Sequence, residues 1–271
     1  MMLQPGLSLS SEFLFHDTGR RDVIIEQALI LAAGRGVRMG PRGRNIPKGF
    51  IELGGTTLID RSLALLARAG IREVAIVTGH LAECYTELVP PAGVALSCLH
   101  NPLYAEKGSF ESLRVGLAAM RGPFLLLESD IVYEPRALAA VLATPHDDLI
   151  LTSGPTGAGD EVYVWADPQP GGARFRAMSK QRAAHAGAPF GELVGISKIS
   201  RALAAELRQH AADAQPGADY ESAVVRAAAG IAIGCERIDD LLWGEIDDEA
   251  MLARVETALW PRLAAIDRHP S

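Results

Sequence analysis

The stretch from Leu29 to Lys48, LILAAGRGVRMGPRGRNIPK, decides the fold. It begins with a short apolar run that is typical of a buried parallel strand, and glycine-rich turn residues follow at once. The glycines are therefore expected at the carboxyl end of a strand, where open α/β sheets bind their ligands. Because Gly34 and Gly36 let a phosphate approach the backbone closely, the stretch predicts an anion-binding loop.

The same loop carries five cations within fourteen residues: Arg35, Arg38, Arg42, Arg44 and Lys48. These side chains would repel one another unless an anion lay among them, and each can donate charge-assisted hydrogen bonds to such an anion. The spacing matches neither a Walker A sequence nor a dinucleotide-binding fingerprint. A solvated basic loop that joins a strand to a helix is the alternative interpretation.

The composition is that of an ordinary globular protein, and its charge distribution points to a small anionic ligand. A chain of 271 residues with 48% hydrophobic and 22% charged residues can bury one large α/β domain. Its net charge of −7 argues against a general nucleic-acid binder, so the arginine cluster is a local feature of an acidic protein.

Three scattered cysteines indicate neither a disulfide framework nor a zinc site, and no apolar run is long enough to span a bilayer. Without a signal-peptide pattern, we expect a cytoplasmic protein with no membrane partner, and a homo-oligomer is compatible with the sequence. Residues 1–27 are expected to form an N-terminal extension, loosely ordered or docked on a partner, and residues 28–271 a single domain.

Beyond the loop, apolar strands alternate with amphipathic helices, which predicts a doubly wound, mostly parallel sheet. Strands are expected over residues 28–32, 73–78, 94–99, 124–127 and 148–152, with helices over 57–69, 81–88, 109–120 and 135–143. Strand-like segments at 162–165, 174–178 and 191–199 then predict an antiparallel region beside the ligand cleft. Helices over 200–212 and 220–229, a strand over 232–238 and a helix from Asp248 complete the fold.

Two aspartates are candidates for a metal site. Asp130 directly follows LLLES (residues 125–129) at the carboxyl end of the predicted strand 124–127, and Asp247 lies in an acidic cluster before the last helix. A triphosphate-binding loop needs Mg²⁺, which prefers carboxylate oxygens. Each aspartate has a simpler interpretation, since Asp130 suits a turn and Asp247 suits a helix cap.

The order of residues around the loop resembles that of a known family. Ala32-Ala33-Gly34, Arg38-Met39-Gly40 and Pro47-Lys48 resemble the signature of nucleotidyltransferases that activate sugar phosphates, phosphocholine and phosphonates, within the MobA-like superfamily. In finer detail, Lys107-Gly108-Ser109 and the segment 191–198, GELVGISK, resemble 2-aminoethylphosphonate cytidylyltransferases. The resemblance runs from about Ala28 to the last helix.

This resemblance implies a Rossmann-like (GT-A-like) mixed sheet, CTP as donor, and Mg²⁺ held by Asp130 and Asp247. It implies a catalytic role for Lys48 with Arg38. The residues expected to bind the nucleotide are Leu31, Ala32, Ala33, Gly34, Arg35, Gly36, Thr78, Gly79, His80, Gly108 and Ser109. The acceptor is expected to contact Ser112, Asp160, Glu161, Lys180, Glu192, Tyr220, Glu221 and Trp243.

The chemistry of the acceptor discriminates only in part between the candidate functions. A primary ammonium needs hydrogen-bond acceptors, whereas a quaternary ammonium prefers an aromatic cage. The acids after Gly159 favour an aminoalkylphosphonate, yet Tyr163, Trp165, Tyr220 and Trp243 could form a cage for phosphocholine. Ser109, Ser112, Lys180 and Lys198 are candidates for the phosphonate end. A sugar-1-phosphate nucleotidyltransferase and a catalytically silent nucleotide-binding subunit are also compatible with the sequence.

Overall fold

The structure of the protein is a computed structural model that describes residues 24–210 and 217–268. Residues 1–23 of the predicted N-terminal extension, and the end of the predicted helix 200–212, lie outside the described residues. Within the described residues, Ile25 is buried in the core and Gln27 is the first residue of a strand.

The strands of the described residues are β1 (Gln27–Ala32), β2 (Glu52–Leu53), β3 (Thr56–Thr57), β4 (Glu73–Thr78), β5 (Ala95–His100), β6 (Phe124–Glu128), β7 (Ile131–Tyr133), β8 (Leu149–Ser153), β9 (Tyr163–Gln169), β10 (Gly172–Ser179), β11 (Gly191–Ile199), β12 (Gly234–Ile238) and β13 (Trp243–Glu245). The helices are α1 (Pro41–Asn45), α2 (Leu58–Arg68), α3 (Ser109–Leu117), α4 (Arg136–Ala143), α5 (Arg201–His210), α6 (Tyr220–Ala227), α7 (Glu249–Arg254) and α8 (Trp260–Arg268). One π-helical turn, Val255–Leu259, joins α7 to α8.

A nine-stranded mixed sheet organises these elements, in the order β5-β4-β1-β6-β11-β8-β12-β10-β9. Strands β5, β4, β1 and β6 are parallel, as are β8 and β12. Strand β11 runs antiparallel between β6 and β8, and β9 and β10 extend the antiparallel part of the sheet. The predicted Rossmann-like mixed sheet with an antiparallel region is therefore confirmed.

Helices cover both faces of this sheet. Successive residues of a strand point to opposite faces, and in the parallel strands the residues on both faces are apolar. Ile30 of β1 packs on one face with α2 and α4, and its neighbour Leu29 packs on the other face with α3, α5 and α6. The parallel strands therefore expose only their ends to ligands, and the carboxyl ends of β1 and β6 lie side by side.

A third apolar cluster ties the glycine loop to the C-terminal helices. Met39 of the loop, Ile246, and Leu252 of α7 are all buried in it. Burying side chains of this size contributes about 1.5–3 kcal/mol each. The cluster therefore holds the basic loop against the C-terminal segment, although the two are far apart in sequence.

One local expectation was wrong. Residues 81–88 contain a 3₁₀ helix, Ala82–Glu87, instead of an α-helix, and the chain enters it through Leu81 at φ 51°. At the start of α3 the cap position is Gly108, and the Ser109 hydroxyl accepts a hydrogen bond from the Tyr220 N–H at 2.9 Å.

Among the described residues, the helices are too short or too polar to cross a membrane.

Candidate active site

The carboxyl ends of β1 and β6 form the floor of the candidate site. Parallel pairing sets Leu31 opposite Glu128, and the Ser129 N–H donates to the Leu31 carbonyl at 3.2 Å. The glycine loop therefore leaves β1 directly beside the acidic end of β6, which continues to Asp130.

A short strand pair brings the C-terminal acids to the same place. Strand β13 pairs antiparallel with β7, and the Ile246 N–H donates to the Asp130 carbonyl at 2.9 Å. Ile246 is fully buried in the third apolar cluster. Because side chains alternate along an extended chain, Glu245 and Asp247 on either side of Ile246 face the cavity instead.

Lys48 forms the electrostatic centre of the site. Its ammonium donates hydrogen bonds to Asp130 Oδ2 and to Asp247 Oδ1, and its side chain is 16% exposed. Burial acts to lower the pKa of Lys48, but the charges of Asp130 and Asp247 outweigh burial and raise that pKa above its ordinary value. Lys48 is therefore a fixed positive charge at any physiological pH.

Arg38 connects the glycine loop to the antiparallel region. Its guanidinium forms ion pairs with Asp247 and with Asp160, and Asp160 also accepts from Lys180 Nζ at 3.1 Å. Burial acts to raise the pKa of Asp247, yet Lys48 and Arg38 lower it overall. Asp247 is therefore ionised and holds two cations of the loop in place.

A group of three carboxylates could hold a metal ion. Glu128, Asp130 and Glu245 each offer an oxygen, and these oxygens lie within 4.8 Å of one another. Burial, and then the charge of Asp130, raise the pKa values of both Glu128 and Glu245. Crowded carboxylate oxygens of this kind, of which only Asp130 is in direct contact with a cationic side chain of the described residues, Lys48, are the hard ligands that Mg²⁺ prefers.

This group only partly overlaps the predicted ligand pair. Asp130 belongs to both, whereas Asp247 contacts Lys48 and Arg38. Sequence reasoning missed Glu128 and Glu245, although a signal was present. Each of them precedes a predicted ligand by two residues, and residues two apart in an extended chain share a face.

On the side of the cavity near α6, a hydrogen bond between Tyr220 and Glu128 holds the first residue of that helix in place. Tyr220 Oη donates to Glu128 Oε1 at 2.5 Å, while the Tyr220 N–H is held by Ser109. Glu128 packs against Gly195, where a Cβ would lie 2.8 Å from Glu128 Oε2. Next to Tyr220, Glu221 has a buried oxygen, Oε2, that has no hydrogen-bond partner among the described residues.

These groups surround a cavity of about 340 Å³. The predicted residues that line it are Leu31, Ala32, Ala33, Gly34, Arg38, Lys48, Gly108, Ser109, Ser112, Asp130, Asp160, Glu161, Lys180, Glu192, Tyr220, Glu221, Trp243 and Asp247. Sequence reasoning did not assign Tyr85 or Arg254, which also line it. The structure therefore brings residues from both the parallel and the antiparallel parts of the sheet to one cavity.

Five residues predicted to bind the nucleotide lie away from the lining: Arg35, Gly36, Thr78, Gly79 and His80. His80 Nε2 is 2.8 Å from the Gly43 carbonyl oxygen, so His80 braces the glycine loop from behind. A Cβ on Gly43 would lie 2.1 Å from the Gly36 carbonyl oxygen, which explains why the loop needs glycine there. A direct contact between these five residues and the nucleotide stays a prediction.

Lys198, a candidate for the phosphonate end, also lies outside the lining. It is buried in β11, and its Nζ donates to the Thr144 carbonyl at 3.3 Å. Strand alternation turns this side chain toward α4 instead of the cavity, so the suggested contact with a phosphonate there was wrong.

The four aromatic residues suggested for a cage do not converge. Trp165 is 1% exposed, and its Nε1 donates to the Gly187 carbonyl at 3.2 Å. Tyr163 donates to Glu161 Oε2 at 3.3 Å, and of the four only Tyr220 and Trp243 line the cavity of the described residues. An aromatic cage made from all four residues is therefore absent from the described part of the chain.

The chain belongs to the family of MobA-like NTP transferase domains, which it matches over residues 28–228. This match covers β1 to α6 and includes the glycine loop, Lys48 and Asp130. It ends before Glu245 and Asp247, which β13 brings to the site.

Two proteins similar to this chain have a phosphonate in their names. The CMP-5'-(3-aminopropyl)phosphonate synthase of Streptomyces rubellomurinus is 29% identical over 247 residues, which are 84% of this chain and 38% of that protein. The 2-aminoethylphosphonate cytidylyltransferase of Lancefieldella rimae is 34% identical over 108 residues, 39% of this chain and 43% of that protein. The matches thus span less than half the length of these two relatives.

Among solved structures, the inositol-1-phosphate CTP transferase from T. maritima superposes with a TM-score of 0.75 over 91% of this chain and 98% of that chain. The two sequences are 15% identical, so this likeness describes the fold alone.

Proposed function

We propose that this chain is a magnesium-dependent cytidylyltransferase that transfers CMP from CTP to 2-aminoethylphosphonate and releases pyrophosphate. Membership of the NTP transferase family supports the reaction class. Two relatives, one named a CMP-5'-(3-aminopropyl)phosphonate synthase and one a 2-aminoethylphosphonate cytidylyltransferase, support the donor and the class of acceptor by their names.

The observation that carries the proposal is the position of Lys48. Its ammonium lies at the end of the glycine loop, in contact with Asp130 and Asp247. Arg38 stands beside it and shares Asp247. Two cations held by carboxylates at the carboxyl edge of a parallel sheet suit a reaction in which negative charge builds up on transferring phosphates.

The reaction needs positioning and charge neutralisation instead of a general base. An ionised phosphonate oxygen of the acceptor attacks the α-phosphorus of CTP and forms a new P–O bond. The bond from the α-phosphorus to the oxygen that bridges to the β-phosphorus breaks, and pyrophosphate leaves with the electron pair. No proton has to be removed from the nucleophile, and Lys48 and Arg38 stabilise the charge on the phosphates.

Bound among Glu128, Asp130, Glu245 and Asp247, Mg²⁺ would neutralise phosphate charge as a Lewis acid. Glu128, Asp130 and Glu245 fit the ion because they offer hard oxygen ligands within 4.8 Å of one another, and Asp247 lies beside them in contact with Lys48. Their own part is to hold the ion at the end of β6, next to the glycine loop.

The test is pyrophosphate release from each of the four common nucleoside triphosphates, with Mg²⁺ and a panel of acceptors. The panel contains 2-aminoethylphosphonate, 3-aminopropylphosphonate, phosphocholine and a sugar 1-phosphate. We expect the highest kcat/KM with CTP and 2-aminoethylphosphonate. A preference for phosphocholine or a sugar phosphate would replace the proposed acceptor, and no release with any pair would identify a silent nucleotide-binding subunit.

A further inference from the structure

The cavity carries more negative than positive side chains. Among the described residues, nine carboxylates and five lysine or arginine side chains line it. A triphosphate and a phosphonate would add further negative charge. Buried carboxylates are costly unless cations accompany them, so the occupied site needs cations beyond those of the protein. One divalent ion among Glu128, Asp130 and Glu245 answers part of this need.

Glu221 marks a second place that lacks a cation. Its Oε2 is buried and has no hydrogen-bond partner among the residues that the structure describes. Lys180 is the positive charge that acts on it, but the Lys180 ammonium is shared with Asp160 at 3.1 and 3.2 Å. Burial first, and then the charge of Asp219, raise the pKa of Glu221 to about 7.

The backbone at Glu221 is anchored through the preceding residue. Glu221 lies in the first turn of α6, where the preceding residue, Tyr220, is held at both ends. The Tyr220 N–H donates to Ser109 Oγ at the start of α3, and Tyr220 Oη donates to Glu128 at the end of β6. Glu221 Oε2 is carried by this anchored backbone, and it is buried without a hydrogen-bond partner among the described residues, so it can accept a hydrogen bond from a donor on a ligand.

We propose that Glu221 binds the ammonium group of the acceptor and thereby selects aminoalkylphosphonates over phosphonates that lack an amine. This inference rests on the proposed function and names the residue that reads the far end of the acceptor. A primary ammonium supplies three N–H donors for such an oxygen, whereas a quaternary ammonium supplies none. Trp165 and Tyr163, which would help to enclose a quaternary ammonium, lie outside the cavity lining.

The experiment compares two acceptors that differ only at this end, 2-aminoethylphosphonate and 2-hydroxyethylphosphonate, with CTP and Mg²⁺. For Glu221→Gln we expect kcat/KM with the amine to fall roughly 10- to 100-fold, because a charge-assisted hydrogen bond is lost. We expect most of this fall in KM, and a change of less than about threefold for the hydroxyl acceptor, for which no ion pair is lost. Glu236→Gln, on the exposed side of β12, is the matched control.

The results of this comparison distinguish the two proposals. If the wild-type protein uses 2-aminoethylphosphonate but Glu221→Gln changes both acceptors equally, or neither, the role of Glu221 is wrong and the proposed function stands. If the wild-type protein releases no pyrophosphate with any acceptor, the proposed function fails, and this inference with it. Calorimetric titration of 2-aminoethylphosphonate onto the protein with Mg²⁺ and a non-hydrolysable CTP analogue gives a second readout, in which the variant must bind the amine more weakly.

Discussion

The ammonium of Lys48 contacts the carboxylate of Asp247 across 199 positions of sequence. The contact joins the glycine loop to the C-terminal segment at the edge of the sheet, and Asp130 completes it from the end of β6. Lys48 thus occupies the space among carboxylates that would otherwise repel one another.

Removing the charge of Lys48 should abolish most of the activity. For Lys48→Met we expect kcat for pyrophosphate release to fall by about 10²- to 10³-fold, the usual effect of losing one charge-stabilising donor. Steady-state kinetics with CTP and 2-aminoethylphosphonate measure this. Arg121→Met, an exposed cation at the far end of the sheet, should retain wild-type turnover. Wild-type kcat in Lys48→Met would contradict the role of Lys48.

Two neighbouring aspartates should behave in opposite ways. Asp247 holds Lys48 and Arg38, whereas Asp248 Oδ1 accepts from the Met251 N–H at 2.8 Å and caps α7. Asp247→Ala should therefore lose roughly 100-fold or more in kcat/KM. Asp248→Ala should keep its activity and lose about 1 kcal/mol of unfolding free energy, the usual cost of removing a helix cap.

Kinetic assays and urea unfolding of both variants test this pair. Equal losses of activity in the two would show that the acidic segment acts only through the structure of α7.

Lys48 should also compete with a metal ion for the carboxylates. In the protein without nucleotide, Lys48→Met leaves Asp130 and Asp247 without their cation, and we expect it to bind Mn²⁺ about tenfold more tightly than wild type. Glu245→Gln replaces one carboxylate of the candidate ligand group by a neutral amide, so this variant should bind Mn²⁺ more weakly than wild type. Electron paramagnetic resonance titration of free Mn²⁺ measures both changes. Weaker binding by Lys48→Met would refute the competition.

Stability should depend on pH through Glu221. Burial and Asp219 raise the pKa of Glu221 from 4.5 to about 7 in the folded protein. The folded state therefore binds this proton more tightly than the unfolded state. The stability contributed by Glu221 is fully present below about pH 4.5 and is lost as the pH rises to about 7.

Replacing this carboxyl by an amide removes that loss. The substitution Glu221→Gln changes the unfolding free energy by some amount at each pH. We expect this change to be more favourable at pH 8 than at pH 4.5, by up to roughly 3 kcal/mol. Urea unfolding at the two pH values, with Glu236→Gln as the control, measures the difference. A Glu221→Gln effect that is the same at both pH values would show that Glu221 titrates alike in the folded and unfolded chains.

Much of the fold could be predicted from local pattern. The bounds predicted for the strands over 73–78 and 191–199 agree with β4 and β11. Strand β4 is a nearly continuous apolar run that ends before Gly79, and β11 is rich in β-branched and other apolar residues between the turn-rich segment 183–189 and Ser200. The 3₁₀ helix at Ala82–Glu87 was not predictable in the same way. Its short amphipathic pattern suits either kind of helix.

The candidate site was predictable where the motif was local. Gly34, Arg38, Lys48 and Asp130 were assigned from the sequence, and all of them line the cavity. Glu128 and Glu245 were missed: each lies two residues before a predicted ligand, but nothing in its own segment shows that β6 and β13 bring the two carboxylates together. The β7–β13 pair that unites them has three residues in each strand, which is too short for a periodic pattern to reveal.

The glycine loop, the order of strands and helices, and the excess of cations after β1 are properties of neighbouring residues, so the chain's own pattern was enough to establish them. The partners of those cations depend on the packing of Met39 and Ile246 in one apolar cluster and on the Ile246 N–H bond to Asp130. These contacts join segments far apart in sequence. Their free energy comes from burial and backbone pairing in the folded protein. The folded structure alone therefore reveals that Lys48 lies between Asp130 and Asp247, and that Glu221 Oε2 has no partner among the described residues.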